Sequence, residues 1–421
     1  MIALTQHITQ VPTTVNRPEI ELLLCCARTH IAPSTAEQIR ALLQQDIDWE
    51  YLIQIAARNQ VMLLLYWSLN TTCPDAFPKA ILSQQRNLYY TNAQRNLFQT
   101  AELLKLLNLF EAHNILTIPF KGPVLAASAY GNLALRQFGD LDMLVQEQDI
   151  PKATDLLISQ GYKLPPDLVE VQQRPYLQFD NFRESVQYRK SYDFVHPDQK
   201  VVVELHWLLS QKYFPFPVDF EQLWENRESV SLVGTTVSHF SPEDSLLHLC
   251  MHGAKDAWVR MKGICDVAQL IQSHPTIKWE QVMKQSRILG SERMLLLGLF
   301  LAHGLLGTTL PEEVLLKIHS NTLVKSLYLQ VCEWLFERQP SKFEVYILHL
   351  KVREHLADKL RYFLYLTITP NEKEWALLPL PKFLSFLYYL LRPLRLIAEN
   401  GFGTLKHFLR IEEITASKRI N

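Results

Sequence analysis

The stretch from Ile115 to Val145 reads ILTIPFKGPVLAASAYGNLALRQFGDLDMLV, and its last six residues constrain the fold more than any others. An apolar run interrupted by two aspartates one residue apart fits a strand, because strand side chains alternate between faces. Asp140 and Asp142 then project to one side, and Leu141 and Met143 to the other. The apolar side anchors the strand in a core, so the two carboxylates converge on one point. Oxygen donors gathered at one point suit a hard cation such as Mg²⁺, whose coordination phosphate groups can complete. Upstream, a first strand leads into Lys121-Gly122-Pro123. Proline is accommodated at the first helical position, where its missing N–H has no partner to lose. The turn therefore predicts a helix over 123–131 whose N-terminal amides point at an anion.

Two cations need a further carboxylate, and VVVELHW over 201–207 offers one. Val203, Leu205 and Trp207 share one face of that strand, Glu204 and His206 the other. A lone strand Glu is usually a solvated edge residue. Here the run is apolar on both sides, and an inward Glu needs a cation or a partner, which favours a metal ligand. Like charges so close repel, so replacing either aspartate with Asn is expected to leave the fold intact or more stable.

These residues resemble the nucleotidyltransferase superfamily built on the DNA polymerase β-like core. Within it, they are similar to the uncharacterised bacterial nucleotidyltransferase family with K-G-P-x-L, an arginine, D-x-D and V-E-L-H-W. The matching positions are Lys121 to Leu125, Arg136, Asp140-Leu141-Asp142 and Val203 to Trp207, followed by SPEDSLLHLCMHGAKDAWVRMKGICDVAQL from Ser241 to Leu270. The likeness runs from about residue 85 to 275. It implies a Mg²⁺-dependent enzyme that moves a nucleoside monophosphate from an NTP to an acceptor hydroxyl, releasing pyrophosphate. Asp140 and Asp142 would bind both Mg²⁺ ions and Glu204 would complete one site. Gly122 and the next amides would cradle phosphates, with Lys121, Arg136 and Lys255 offsetting charge on the pyrophosphate. His252 and Lys255 would meet phosphate oxygens, and Trp258 would either stack on a base or fill the core.

One departure stands out: the superfamily usually has Gly-Ser at the turn, where this chain has Gly122-Pro123. The lost hydroxyl is expected to be replaced by the Lys121 ammonium, as in toxin-type relatives with K-G-G. The acceptor stays open among a small molecule, a protein and an RNA end. Alternatives are a toxin-type enzyme acting on RNA and a degenerate protein that binds a nucleotide or partner without turnover. A zinc hydrolase using His248, His252 and Asp256 or Asp266 lacks H-E-x-x-H, and no G-x-S-x-G supports a serine hydrolase.

The remaining sequence sets the frame. A chain of 421 residues, 48% hydrophobic and 20% charged, is large enough for two or three packed domains. Its net charge of -1 gives no global basic field for non-specific nucleic-acid binding. Six cysteines without a C-x-x-C pair, and a start with no basic, apolar leader, point to reduced thiols in a cytoplasmic protein. The expected class is α+β: a mixed-sheet nucleotidyltransferase core over 114–240, flanked by an N-terminal helical region over 1–113 and a C-terminal one over 241–421. Further elements are a helix over 150–160, strands near 186–195 and 200–207, a hairpin about Gly234 and a helix start at Ser241. A Pro-bearing insertion covers 164–185. The apolar run 378–397 is broken by charges and prolines below a membrane-spanning length and reads as a buried or partner-facing helix.

Overall fold

The computed structural model describes residues 17–164 and 190–396, apart from positions 199, 212, 213, 215, 371–373, 375, 376 and 379. The described residues up to 164 and from 190 to 354 form one unit, and those from 355 onward belong to a second. The first opens with α1 (Pro18–Cys26), α2 (Pro33–Leu42), α3 (Trp49–Arg58), α4 (Met62–Thr72) and the 34-residue α5 (Lys79–Ala112). Local chemistry sets their starts. Pro18 and Pro33 occupy first turns, and the Asp48 carboxylate caps α3 by accepting from the Tyr51 amide at 3.0 Å.

Helix α5 has a second task. Its Asn96 amide nitrogen donates to the carbonyls of Leu133 and Arg136, Asn92 to that of Ala134, Arg95 to that of Phe138 and Gln99 to that of Gly139. Each bond contributes about 1 kcal/mol net, and together they clamp the loop that leads into the D-L-D strand. The site geometry thus begins outside the sheet.

After α5 come β1 (Thr117–Phe120), α6 (Gly122–Ser128), β2 (Asp140–Val145), α7 (Ile150–Ser159), β3 (Ser191–His196) and β4 (Val201–His206). The strand order is β1-β2-β4-β3; β2 and β4 are parallel and the other pairs antiparallel, a mixed sheet as expected. One face, with Leu141, Met143, Val145, Val201, Val203 and Leu205, packs on Leu103, Leu106 and Phe110 of α5 and Leu157 of α7. The opposite face presents Asp140, Asp142, Glu204 and His206. Helix α6 stops at Ser128, short of the expected 131, because Gly131 turns left-handed and Asn132 starts a new 3-10 turn by accepting from the Ala134 amide. The insertion read over 164–185 lies outside the described residues beyond Leu164.

Next come α8 (Phe220–Asn226) and the hairpin β5 (Glu228–Leu232) and β6 (Thr235–His239), whose turn carries Val233 and Gly234 at positive φ. The helices that follow are α9 (Pro242–Lys255), α10 (Met261–Ser273), α11 (Trp279–Ile288), α12 (Glu292–Leu306), α13 (Glu312–Ser320), α14 (Thr322–Phe336) and α15 (Lys342–Val352). Ser241 caps α9 as expected, its Oγ accepting from the Asp244 amide at 3.1 Å. Side chains from α1 to α4, from β1 and β2, and from α9 to α15 share one apolar cluster.

The second unit contains α16 (Leu356–Ile368) and, farther on, Glu374 paired with Arg392 and Arg395. The apolar run from 378 includes a 3-10 segment over Lys382–Leu387. Among the described residues no helix is long and apolar enough to cross a membrane.

Candidate metal and nucleotide site

Sheet register builds the site. Phe120 stands opposite Asp142, and Asp142 beside Glu204. Two residues along β4 on the same face is His206, whose Nε2 lies 3.1 Å from Asp142 Oδ1 and 3.4 Å from Glu204 Oε1. Among the described residues, Asp142, Glu204 and His206 form the one group able to hold a metal through three side chains, with their donor atoms within 4.8 Å of one another. Carboxylate oxygens crowded this closely fit a divalent cation. Asp140 shares their face one pleat away and is not part of that group.

Lysines share the same oxygens. Lys121 Nζ is 3.4 Å from Asp142 Oδ1; Lys190 Nζ and Ser191 Oγ each donate to Glu204 Oε1 at 2.7 Å. Burial opposes ionisation of Asp142, but Lys121 and His206 outweigh it and hold the carboxyl well below its usual range. Glu204 is half-buried; burial again opposes its ionisation, but His206 and Lys190 hold it far down. Asp140 goes the other way: burial and then the Asp142 charge raise its carboxyl, with Lys121 pulling against them.

Lys121 takes φ of 56° and ψ of -140°, a backbone shape that costs about 1–3 kcal/mol for a residue with a Cβ. That strain aims its side chain at Asp142. Gly122 follows at φ 38°. Above this floor opens a cavity of about 550 Å³, lined by Lys121, Gly122, Arg136, Asp140, Asp142 and Glu204 from the sheet region. His252, Asp256, Trp258, Arg260 and Lys262 close it from the side of α9 and α10.

Arg136 reaches this lining, and each of its three nitrogens has a partner in the protein. Nε and Nη2 grip Asp266 at 2.8 and 2.9 Å, and Nη1 points at the Gly122 carbonyl at 3.4 Å. Tyr130 donates a further bond to Asp266 at 2.6 Å. Burial alone would lower the guanidinium pKa, yet Asp266 drives it upward, while Arg136 holds Asp266 down against its own burial. Arg136, expected to face phosphate, thus also braces the glycine turn from within the protein.

His252 lines the cavity partly exposed. Burial, then Lys121 and His248, push its imidazole well below the usual value, so it is neutral near pH 7. Lys255 is partly buried, its pKa lowered by burial and by Lys190. Trp258 is 1% exposed, and a Cβ added at Gly253 or Gly298 would fall within 3.0 Å of its ring. Those two glycines make room for the indole, so of its two expected roles burial supports the core one. His248 packs edge-on to Phe120 among aromatic rings, and no zinc set with His252 assembles among the described residues.

Three contributors fall outside the expected site residues. His206 carries a local signal, the alternation that pairs it with Glu204. Lys190 borders the chain's long insertion, and Lys262 sits on a helix 120 or so positions from the aspartates, so neither has a local cue. Burial and Arg136 push the Lys262 ammonium down to about 8, with Asp266 and Asp140 pulling against them.

No curated protein and no solved structure matches the chain in a search of either. A family model does match, over residues 45–307, taking in the clamp helix, the sheet with its carboxylates and the helices that close the cavity. On that match the chain belongs to the uncharacterised nucleotidyltransferase family.

Proposed function

We propose that the chain transfers a nucleoside monophosphate from an NTP to an acceptor hydroxyl, with pyrophosphate leaving. The observation that carries this is the meeting of Asp142 and Glu204, with Asp140 on the same face, at the floor of a cavity rimmed by Lys121, Arg260 and Lys262. An anion-receiving rim over a carboxylate floor is the charge layout a triphosphate with divalent ions needs. Mg²⁺, two ions of it, is the cation proposed; when bound, it would neutralise phosphate oxygens and activate the acceptor hydroxyl.

The chain's own residues divide the remaining work. Lys121 and Lys262 bind phosphate oxygens, and Lys255 adds positive potential. The Arg136–Asp266 pair fixes the glycine turn. Neutral His252 donates or accepts a hydrogen bond without adding charge. The acceptor proposed is a small molecule, a protein side chain or an RNA end.

A second reading is nucleotide binding without turnover. The Lys121–Asp142 and Lys190–Glu204 pairs favour it, since they neutralise the carboxylates without a cation. The test that separates them supplies NTPs labelled at the α- or the γ-phosphate to the protein with cell extract. Nucleotidyl transfer puts only the α-label on an acceptor. Label from the γ-position instead, or from neither, contradicts it.

A further inference from the structure

We propose that His206 is itself a metal ligand, and that its nitrogen raises the affinity of the Asp142–Glu204 site for a divalent first-row transition ion such as manganese(II) relative to its affinity for Mg²⁺. This rests on the metal-dependent reading above and adds a donor and a selectivity to it.

The geometry points this way from three sides. Strand alternation puts Glu204 and His206 on one face of β4, and the parallel register sets Asp142 beside Glu204. Nε2 then faces both carboxylates, at 3.1 and 3.4 Å. Neighbouring ligands of an octahedral ion with bonds of about 2.1–2.2 Å lie roughly 3 Å apart along an octahedron edge, so small shifts convert this hydrogen-bonded trio into a chelate. The ring is also pre-set: it is 1% exposed and packs at a steep angle on Phe120, with centroids 4.9 Å apart. Its other nitrogen, Nδ1, is buried with no hydrogen-bond partner among the described residues. The polar chemistry of this buried imidazole is therefore directed at the two carboxylates.

The donor set decides the metal. Mg²⁺ prefers oxygen ligands and sheds water reluctantly, whereas imidazole favours first-row transition ions. Later transition ions gain most from an imidazole, and manganese(II), which also suits carboxylate oxygens, is the transition ion nearest to Mg²⁺ and so the probe for the effect. The rival role for His206 is to orient Asp142 by a hydrogen bond while never touching the ion.

The experiment uses the full chain without a histidine tag, loaded with manganese(II) chloride alone and read by pulsed electron paramagnetic resonance. Coupling to ¹⁴N is expected, replaced by ¹⁵N coupling in protein grown with ¹⁵N-histidine, and absent from a folded His206→Gln variant. Titrations should show His206→Gln weakening manganese(II) by about tenfold or more and Mg²⁺ by less than about threefold. Bound manganese(II) without histidine nitrogen coupling in the wild-type chain overturns the proposal, as does an equal loss of both metals in the variant. The wild-type spectrum needs no mutation, so it tests the ligand assignment even where the variant fails to fold. Coupling in a protein that transfers no nucleotide supports His206 as ligand and contradicts the transferase reading; transfer with Mg²⁺ and no coupling does the reverse.

Discussion

Arg136 and Asp266 form a buried two-pronged ion pair, Nε to Oδ1 at 2.8 Å and Nη2 to Oδ2 at 2.9 Å, between residues 130 positions apart. It ties α10 to the loop ahead of β2 and, through Nη1, to the glycine turn. Removing one partner strands the other charge out of water, at about 3–5 kcal/mol. Arg136→Met and Asp266→Leu should each lower the urea midpoint strongly, with the double variant destabilised by much less than their sum. Additive losses would mean that the two side chains act separately.

The two aspartates of the D-L-D strand should respond in opposite directions to loss of charge. Asp140 has a raised carboxyl, so its ionised form strains the fold, and Asp140→Asn should raise the melting temperature at pH 7. Asp142 has a depressed one: its stabilisation is complete above the unfolded value of about 4 and is lost as pH falls below that toward the folded value. Asp142→Asn should therefore lower the melting temperature at pH 7, the reverse of what repulsion between the two aspartates alone predicts, and narrow its gap to wild type as the solution is acidified. Melting curves of both variants from pH 3 to pH 7, about the span of the unfolded titration, decide the matter; equal shifts of one sign contradict it.

Lys121 combines strain with charge, which two substitutions separate. Lys121→Ala should weaken an NTP by about 1.5–3 kcal/mol, roughly ten- to a hundredfold, while barely changing the matching NMP. Lys121→Gly loses the same contact but relieves the positive φ, so it should be more stable than the Ala variant by about 1 kcal/mol. Paired nucleotide titrations and denaturation curves read both effects. Equal losses for NTP and NMP would assign the terminal phosphates to other groups.

Lys262 supplies a pH signature. With its pKa near 8, its positive charge fades as pH rises from 7 to 9, and NTP affinity should fall over that window. Lys262→Gln should bind less tightly at pH 7 and show a flatter profile. The folding sign is opposite: the unfolded lysine keeps its proton to about 10.4, so above 8 the unfolded state binds more protons and this residue's contribution to stability rises with pH. A binding profile unchanged by the substitution would place Lys262 outside the phosphate path.

What is legible in the sequence follows from the range of each interaction. Asp140, Asp142 and Glu204 can be read because alternation along a strand is local, as can the Ser241 cap and the turn at Gly234. Their pairing across β2 and β4 comes only from the resemblance in sequence, and in the structure it stands as register. The role of Arg136 is hidden, since it depends on Asp266 in a distant helix. Trp258 is undecidable in one dimension because Gly298, which helps make its berth, lies 40 residues on. The Asn and Gln face of α5 looks like a solvated helix surface; its purpose shows only when the 133–139 loop lies against it.

The most direct measurement is pyrophosphate release from an NTP in the presence of cell extract and Mg²⁺, comparing wild type with Asp142→Asn and Glu204→Gln variants that circular dichroism shows to be folded. Release by the wild-type chain, matched by α-label on an acceptor, should fall by about a hundredfold or more in each variant. Wild-type rates in both variants, or no release by wild type with any of the four NTPs while nucleotide still binds, would contradict carboxylate-dependent nucleotidyl transfer.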